Sequence, residues 1–203
     1  SAFSDFFGST LDAWIRSGEI STDRKKLMKL PVTTVNETIK RVLFVGLGEG
    51  KTLTEENLRE TFGLVGKELK ALKVNNYAIW LESFVTPTLE ETDVAFLAAE
   101  GIGMGFYTVP NYKTSSNEQD TYVDRVEFVT EVNGEEVAAS FEVGHIYAQA
   151  VNEARSLVNL PPNMLTATDL ANYAVDLAKQ YDFEVEILDK AQLEELGMGG
   201  ILS

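Results

Sequence analysis

The sequence of 203 residues contains no cysteine and only one histidine, His145. The absence of cysteine excludes disulfides, thiolate metal sites and cysteine nucleophiles, and it is consistent with a reducing compartment such as the cytoplasm. Because no second histidine is present to share a site, His145 is interpreted as a solvent-facing or capping residue. Any catalytic or metal-binding chemistry would therefore depend on other residue types.

Basic residues and long apolar runs are also scarce. Seventeen Lys and Arg against 32 Asp and Glu give a net charge of -15, which disfavours nucleic acid and anionic lipid as general partners. No apolar run approaches the roughly 20 residues of a membrane helix, and the start, S-A-F-S-D-F-F-G, lacks the basic segment of a signal peptide. These features predict a cytoplasmic protein without a membrane partner. The cluster Arg24, Lys25, Lys26 and Lys29 is interpreted as a solvated turn or helix end.

The remaining composition, 44% hydrophobic and 24% charged, is typical of a soluble globular protein of one domain or slightly more. The apolar, β-branched run R-V-L-F-V-G-L-G from Arg41 predicts a buried strand. Thr54 can cap a helix after it, and apolar residues recur there at helical spacing: Leu58, Phe62, Val65, Leu69 and Leu72. The run Y-A-I-W-L from Tyr77 predicts a second strand. These three elements are expected to form a parallel, right-handed βαβ unit.

Glycines punctuate the next predicted helix, V-A-F-L-A-A-E-G-I-G-M-G-F-Y, which Asp93 is expected to cap. Each of Gly101, Gly103 and Gly105 costs about 1 kcal/mol relative to alanine in a helix. Such glycines predict close packing against a neighbouring element. A polar loop over residues 111–120 follows, and the alternation in T-Y-V-D-R-V-E-F-V-T then predicts a half-exposed strand.

The last third of the sequence contains a connecting helix and the start of another domain. Apolar residues repeat at helical spacing from Gly144, and Pro161 and Pro162 end that helix with a stiff turn, whose carbonyls or acids Arg155 and Asn159 are expected to bond. The pattern T-A-T-D predicts a capped helix, F-E-V-E-I-L a strand, and K-A-Q-L-E-E-L a short helix. The predicted organisation has three parts: an N-terminal α/β domain over residues 1–143, a connecting helix over 144–160, and the start of a second α/β domain over 161–203.

The glycine-rich loop G-L-G-E-G-K-T from Gly46 was compared with phosphate-binding patterns. A Walker loop requires glycine five residues before Gly50, and Val45 stands there; Lys51 occupies the third glycine position of the dinucleotide pattern. The loop is therefore interpreted as a tight turn from strand to helix.

No position of this sequence is assigned a catalytic, cofactor-binding or metal-binding role. The adjacent acids Glu135 with Glu136, and Glu194 with Glu195, are interpreted as solvated surface, since neither pair has the spacing of a calcium loop. No G-x-S-x-G elbow occurs. Three aromatic residues within apolar runs are interpreted as core rather than as a cofactor platform: Trp14, Trp80 and Phe106.

The segment from Glu153, E-A-R-S-L-V-N-L-P-P-N-M-L-T-A-T-D, resembles the domain junction of the leucyl aminopeptidases, also called cytosol aminopeptidases. Further similar segments are R-V-L-F-V-G-L-G with L-T-E-E-N-L-R, A-E-G-I-G-M-G-F-Y ahead of Y-K-T, and L-E-E-L-G-M-G-G, so the resemblance spans nearly the whole chain. It implies a three-layer, macro-like N-terminal domain with a mixed, largely parallel sheet flanked by helices. Family members carry one or more strands before the equivalent of Phe3, so the sequence is expected to lack its first strand or strands.

The resemblance also implies a function for the longer protein. Members hydrolyse N-terminal residues from peptides with two divalent ions, manganese or zinc, and usually assemble as homohexamers. Their catalytic domain carries K-G-x-x-x-D-S-G-G and N-T-D-A-E-G-R motifs, and neither occurs here. The sequence is therefore expected to be an inactive N-terminal fragment that serves structure and assembly, with peptide substrates bound by the missing domain.

The alternative is a macro-like binding or regulatory module for a nucleotide, for DNA or for a partner subunit. Macro-like folds bind ADP-ribose at loops similar to the one from Gly46, which keeps a vestigial pocket open by analogy. The acidity of the chain argues against DNA.

Overall fold

A computed structural model describes residues 2–33, 39–109 and 123–202, with side chains described from Phe7 onward except at positions 33 and 39. The contacts divide the chain into two compact units, residues 1–155 and 156–203. Helices and two small sheets make up the described part, so the predicted α/β class is confirmed. The domain limits predicted at residues 143 and 161, and the macro-like topology, stay predictions.

The first unit contains four helices and four strands in the described residues. In chain order they are α1 (Ala2–Ser17), β1 (Leu27–Thr33), β2 (Ile39–Val45), α2 (Glu55–Ala71), β3 (Asn76–Trp80), α3 (Glu91–Phe106), β4 (Arg125–Val129) and α4 (Gly134–Val158). Gly8 interrupts α1 with φ 50° and ψ -139°. Short 3-10 turns precede α2, at Gly50–Thr52, and follow β3, at Leu81–Phe84.

The strands pair differently from the prediction. β1 and β2 form an antiparallel pair, and β3 and β4 form a parallel pair. The parallel βαβ unit is thus β3–α3–β4, and the predicted pairing of β2 with β3 across α2 is wrong, since no ladder joins them in the described part of the chain. An apolar run indicates that a segment is extended, but it carries no information on which segment lies beside it.

β1 is a strand that the sequence reading missed. Its basic residue Lys29 is exposed and pairs with Glu68 of α2, with Nζ and Oε1 2.6 Å apart. The turn interpretation holds for Lys25, which has φ 67° and pairs with Glu60 at 2.8 Å, but it was wrong for Lys29. Pro31 is exposed within β1, and a proline is tolerated where a strand lies at a sheet edge.

The main core lies where α2 and α3 pack together. Leu58, Phe62, Val65 and Leu69 of α2 are buried, which confirms the predicted apolar face, whereas Leu72 is 38% exposed at the end of the helix. The predicted cap is also confirmed, because the hydroxyl of Thr54 accepts a hydrogen bond from the Asn57 amide at 3.2 Å. Glu55 and Glu56 occupy the first turn, where carboxylates interact favourably with the helix dipole.

Glycines bring the backbones of α2 and α3 into contact. A Cβ atom built at Gly101 would lie 2.5 Å from the carbonyl oxygen of Arg59, and one at Gly105 would lie 2.4 Å from that of Gly63. These distances are shorter than any real Cβ contact, so only glycine fits. The predicted close packing of the α3 glycines is confirmed.

The start of α3 lies slightly before the predicted position. Glu90 is the capping residue, and Asp93 is the third residue of the helix, whose carboxylate accepts a hydrogen bond from the Glu90 amide at 2.9 Å. This reciprocal arrangement is a capping box, so Asp93 stabilises the helix start from inside the first turn.

The β1–β2 pair presents alternate side chains to two clusters, as the twofold repeat of a strand requires. Leu43 and Val45 pack on the α2–α3 core, while Val42 and Phe44 pack on α1. The ring of Phe44 lies 5.8 Å from that of Trp14 between centroids. Trp14 is thus a core residue, as predicted, and so are Trp80 and Phe106, which are half-buried against the two clusters.

α4 begins ten residues before the predicted start at Gly144. The carbonyl of the Asn133 side chain accepts a hydrogen bond from the Glu135 amide at 3.0 Å, and the helix begins at the next residue, Gly134. His145 therefore lies within α4 and not at its beginning. It is exposed, as predicted, with Nε2 3.1 Å from the side-chain nitrogen of Gln149.

The second unit contains α5 (Ala167–Tyr181), α6 (Lys190–Glu195) and α7 (Gly199–Leu202). The predicted strand F-E-V-E-I-L is wrong, because residues 183–188 make no ladder with any described residue. Phe183, Val185 and Ile187 are 50%, 39% and 47% exposed. A strand requires a hydrogen-bonded neighbour, which an alternating sequence cannot supply by itself. None of the helices in the described ranges has the length and hydropathy needed to cross a membrane.

Candidate functional site

Two of the segments that carry the family resemblance lie on α3 and α4: the motif from Ala99 on α3 and the start of the junction segment, at Glu153, on α4. A Cβ atom built at Gly144 would lie 2.2 Å from the Phe96 carbonyl oxygen, so α4 touches the backbone of α3 at that point. The hydroxyl of Ser140 donates a hydrogen bond to the Thr92 carbonyl at 2.9 Å, and Ala148 is 1% exposed. The connecting helix is therefore part of the first unit over most of its length.

The C-terminal end of α3 is capped by side chains from both neighbouring helices. Three donors reach its last carbonyls: Asn152 to Gly103 at 3.0 Å, Arg155 to Met104 at 3.2 Å and Lys70 to Phe106 at 3.0 Å. The last carbonyls of a helix lack partners within it, and cations near them interact favourably with the helix dipole. The motif A-E-G-I-G-M-G-F-Y thus ends in a cap supplied by α2 and α4.

Arg155 makes a further contact at this cap. Its guanidinium lies over the Tyr107 ring, 4.0 Å from the ring centroid, and donates to the Asn152 side-chain oxygen at 3.1 Å. The sequence analysis expected Arg155 to bond the proline turn and did not predict its contact with α3. Arg155 lies 51 residues from Met104 in the chain, so no local pattern could have revealed the pairing.

The proline turn and the helix after it are fixed by local hydrogen bonds. The Met164 amide donates to the Pro161 carbonyl at 2.8 Å. Thr166 and Asp169 cap α5 reciprocally, as T-A-T-D predicts, with the Asp169 carboxylate accepting from the Thr166 hydroxyl at 2.6 Å and from its amide at 2.9 Å. Hydrogen bonds from the Thr166 side chain and backbone lower the pKa of Asp169 below its ordinary value.

The loop G-L-G-E-G-K-T folds back onto residues 22–26. The Gly46 amide donates to the Lys26 carbonyl and the Gly48 amide to the Thr22 carbonyl, each at 2.8 Å. A Cβ atom at Gly46 would lie 2.1 Å from the Asp23 carbonyl oxygen, and Gly48 has φ 75°, so both positions require glycine. A phosphate-binding loop needs free amides, and these two are occupied. The interpretation as a tight turn is supported.

An open depression of about 460 Å³ lies beside this loop at the start of α2. It is lined by Leu53, Thr54, Glu55, Glu56, Arg59, Thr88 and Leu89. The Arg59 guanidinium is bonded to Glu100, with Nε and Oε2 2.5 Å apart, and also to Glu56. These bonds raise the pKa of Arg59 above its ordinary value, and the hydrogen bond to Glu100 is the largest cause. Because its charge is balanced by two carboxylates, the depression has no excess positive charge to hold a phosphate.

Glu91 is buried and Tyr77 is half-buried in the first unit. The Glu91 carboxylate is 6% exposed and accepts from the Thr130 hydroxyl and from the Glu131 amide at 3.3 Å, which ties the start of α3 to the end of β4. Burial raises the pKa of the Tyr77 phenol above its ordinary value. The sequence analysis missed the buried carboxylates because their partners are distant in the chain.

The described residues offer no set of metal ligands. In the ranges 2–33, 39–109 and 123–202 no three or more His, Asp or Glu side chains converge as metal ligands would. The acid pair Glu135 and Glu136 lies exposed in the first turn of α4, and Glu194 and Glu195 lie exposed at the end of α6. The structure gives these side chains no catalytic or metal-binding role. The sequence-based prediction that the chain contains no site residue is not tested further and stays a prediction.

Comparisons with known proteins identify the family to which the sequence is similar. The family model described as "Cytosol aminopeptidase family, N-terminal domain" matches residues 2–116, and "Cytosol aminopeptidase family, catalytic domain" matches residues 152–203. A mutant of tomato leucine aminopeptidase is similar in structure, with a TM-score of 0.75, 22% identity, and coverage of 97% of this chain and 38% of that one.

The bottromycin maturation enzyme BotP is also similar, with a TM-score of 0.71, 22% identity, and coverage of 91% of this chain and 38% of that one. A structure of BotP in complex with Mn matches equally well, at a TM-score of 0.71. The chain therefore spans less than two fifths of the length of these proteins. At 22% identity, the structural similarity to them shows only that this chain shares their fold. Because the N-terminal family model alone covers more than half of the sequence, the chain belongs to the cytosol aminopeptidase family.

Proposed function

We propose that this chain is the N-terminal portion of a longer cytoplasmic leucyl aminopeptidase, a two-metal peptidase that removes N-terminal residues from peptides. The observation that carries the proposal is the order of the two family matches. The N-terminal match lies inside the first compact unit, and the catalytic-domain match begins at residue 152, close to the boundary between residues 155 and 156. A peptidase of this family has both domains in that order.

The role of the chain itself is structure and assembly, with the catalytic centre outside these 203 residues. Neither metal-binding motif of the family occurs in the sequence, and the part of the chain that the structure describes contains no cluster of metal ligands. Two divalent ions, manganese or zinc, would supply an activated water in the longer protein. The residues present here do not fit that role, so no step of the reaction is assigned to them.

The exposed apolar segment in the second unit supports the same proposal. Phe183, Val185 and Ile187 alternate along residues 183–188, and none of them is buried. An alternating apolar pattern of this kind is stable as a strand only when the strand pairs within a sheet and packs one face on a core. The remainder of the catalytic domain would supply that sheet. We further expect the longer protein to form a homohexamer. We also expect it to lie in the cytoplasm, a reducing compartment with which the absence of cysteine from these 203 residues is consistent.

The sequence that follows residue 203 in the gene tests this proposal. We expect K-G-x-x-x-D-S-G-G and N-T-D-A-E-G-R motifs downstream, and we expect the longer protein to hydrolyse leucine p-nitroanilide with manganese or zinc and to lose this activity when the metals are chelated. A downstream sequence without these motifs, together with a longer protein that releases no leucine, would contradict the proposal.

The alternative function, a binding or regulatory module, has an independent test. The occupied amides of Gly46 and Gly48 and the balanced charge of Arg59 speak against a nucleotide at the depression beside α2. Titration of the 203-residue chain with ADP-ribose, and with duplex DNA at low salt, should therefore give no binding. Saturable binding of either ligand would favour the alternative.

A further inference from the structure

α4 is held against α3 by two kinds of contact, which follow one another along the helix. From Val137 to Ala148 the contacts include buried apolar side chains at both ends, since these two residues are 0% and 1% exposed, and Ser140 adds one hydrogen bond to the Thr92 carbonyl. Gly144 sits between them against the Phe96 backbone. Separating this part of α4 from α3 would expose apolar core, which is unfavourable in proportion to the area exposed.

Beyond Ala148 the contacts with α3 are polar and partly solvated. Asn152 is half-buried and donates to the Gly103 carbonyl, and Arg155 is exposed and donates to the Met104 carbonyl while covering the Tyr107 ring. Solvent can replace hydrogen bonds of this kind, so each contributes modestly. Separation of this part of α4 requires the loss of polar contacts but exposes little buried apolar surface.

The end of α3 does not depend on α4 alone. Lys70 of α2 donates to the Phe106 carbonyl at 3.0 Å and also bonds Thr108. Because this cap belongs to α2, it can persist when the contacts of Asn152 and Arg155 are broken. The end of α4 can then separate from α3 without the loss of the α2–α3 core.

We propose that Asn152 and Arg155 form a latch that holds the part of α4 over residues 149–155 against α3, and that this part opens as a local unit while the helix up to Ala148 stays packed. Proteins commonly open in such sub-global units, which are bounded where buried apolar contacts give way to solvated polar ones. This inference rests on the contacts of α4 alone and is independent of the proposed peptidase function.

Amide hydrogen exchange on the 203-residue chain tests the latch. Arg155→Met keeps the length of the side chain and removes its charge and its donors. We expect amides in residues 149–155 to exchange at least about tenfold faster in this variant, because one hydrogen bond from a charged group and one cation–π contact are lost. Amides in residues 137–148 should exchange at the wild-type rate. Arg125→Met is the matched control, because Arg125 is an exposed arginine paired with Glu127 on β4; it should leave exchange in α4 unchanged.

Two results would overturn the inference. Unchanged exchange over residues 149–155 in Arg155→Met would mean that the latch does not hold this part of the helix. Equal acceleration over residues 137–155 would mean that α4 opens only as a whole and that no local unit exists. Asn152→Ala provides a second variant, for which acceleration confined to the same residues is expected.

Discussion

Replacement of Gly101 by alanine tests whether backbone contact between α2 and α3 holds the first unit together. The new Cβ would lie 2.5 Å from the Arg59 carbonyl oxygen, 2.7 Å from the Phe62 Cβ and 3.1 Å from the Gly63 nitrogen. Two of these three atoms belong to the backbone, so the facing helix has to move. Gly63→Ala is the matched control, because its Cβ would meet only the Gly101 carbonyl oxygen at 3.7 Å, an ordinary contact.

The two substitutions should change stability in opposite directions. Alanine is favoured over glycine inside a helix by about 1 kcal/mol, and overpacking of a close-packed core costs about 1–3 kcal/mol. At Gly101 the cost of overpacking, about 3 kcal/mol where the clash is with backbone, exceeds the gain in helix propensity of about 1 kcal/mol. Gly101→Ala should therefore lower the free energy of unfolding by about 2 kcal/mol, which corresponds to a fall in Tm of roughly 4–8 °C for a chain of this size. Gly63→Ala gains the helix propensity alone and should raise Tm by roughly 2–4 °C.

Thermal unfolding followed by circular dichroism, with urea unfolding as a second measure, gives both values. A Gly101→Ala chain as stable as the wild type, or a Gly63→Ala chain destabilised to the same degree as Gly101→Ala, would refute the reasoning. Either result would mean that α2 and α3 are not fixed at backbone contact.

Three further predictions concern the cap of α5, a buried phenol and the proline turn. Thr166→Ala should raise the pKa of Asp169 toward its ordinary value, which carboxyl NMR can follow. Because the folded pKa of Asp169 is lowered, the stability that this cap contributes is present above the unfolded pKa. That stability is lost as pH falls through the folded pKa. Burial raises the pKa of Tyr77, so Tyr77→Phe should remove a phenol that titrates above the ordinary tyrosine range in an absorbance titration. The stability linked to the raised pKa is present below the ordinary tyrosine pKa and is lost as pH rises through the folded pKa. An unchanged absorbance change above the ordinary range would contradict this. Pro161→Gly with Pro162→Gly in the longer protein should weaken assembly and lower Tm, and an unchanged oligomer in light scattering with an unchanged Tm would count against a role for the stiff turn.

The elements that could be predicted are those specified by neighbours in the sequence. Thr54 with its acidic first turn predicts the start of α2, and the spacing of Leu58 and Phe62 predicts its buried face; both are correct. The same applies to the T-A-T-D cap and to the close packing of the α3 glycines. Each of these features depends on residues within one or two helical turns, so the pattern contains the information.

The features that were missed depend on pairings between distant residues. Nothing near β2 in the sequence indicates that it pairs with β1 and not with β3. Residues 183–188 have the pattern of a strand, but a strand forms only beside a partner. In the candidate site, Glu91 is hydrogen-bonded to Thr130, 39 residues away in the sequence, and Arg59 is hydrogen-bonded to Glu100, 41 residues away. A charged residue in an apolar helix predicts burial only once its partner is known.

The family resemblance could be recognised from short motifs, but the role of Arg155 could not. The junction segment indicates the family because its prolines and cap are local features. The contact of Arg155 with Met104 and Tyr107 depends on the glycines that let α4 approach α3. That approach is a property of the folded unit.

The most direct test of the central claim is a peptidase assay on the 203-residue chain itself. The purified chain is incubated with leucine p-nitroanilide in the presence of manganese or zinc, beside the longer protein as the active control. The longer protein is expected to release p-nitroaniline, and the 203-residue chain is expected to release none. Release by the 203-residue chain that depends on metal and stops on chelation would contradict the claim that the catalytic centre lies outside these residues.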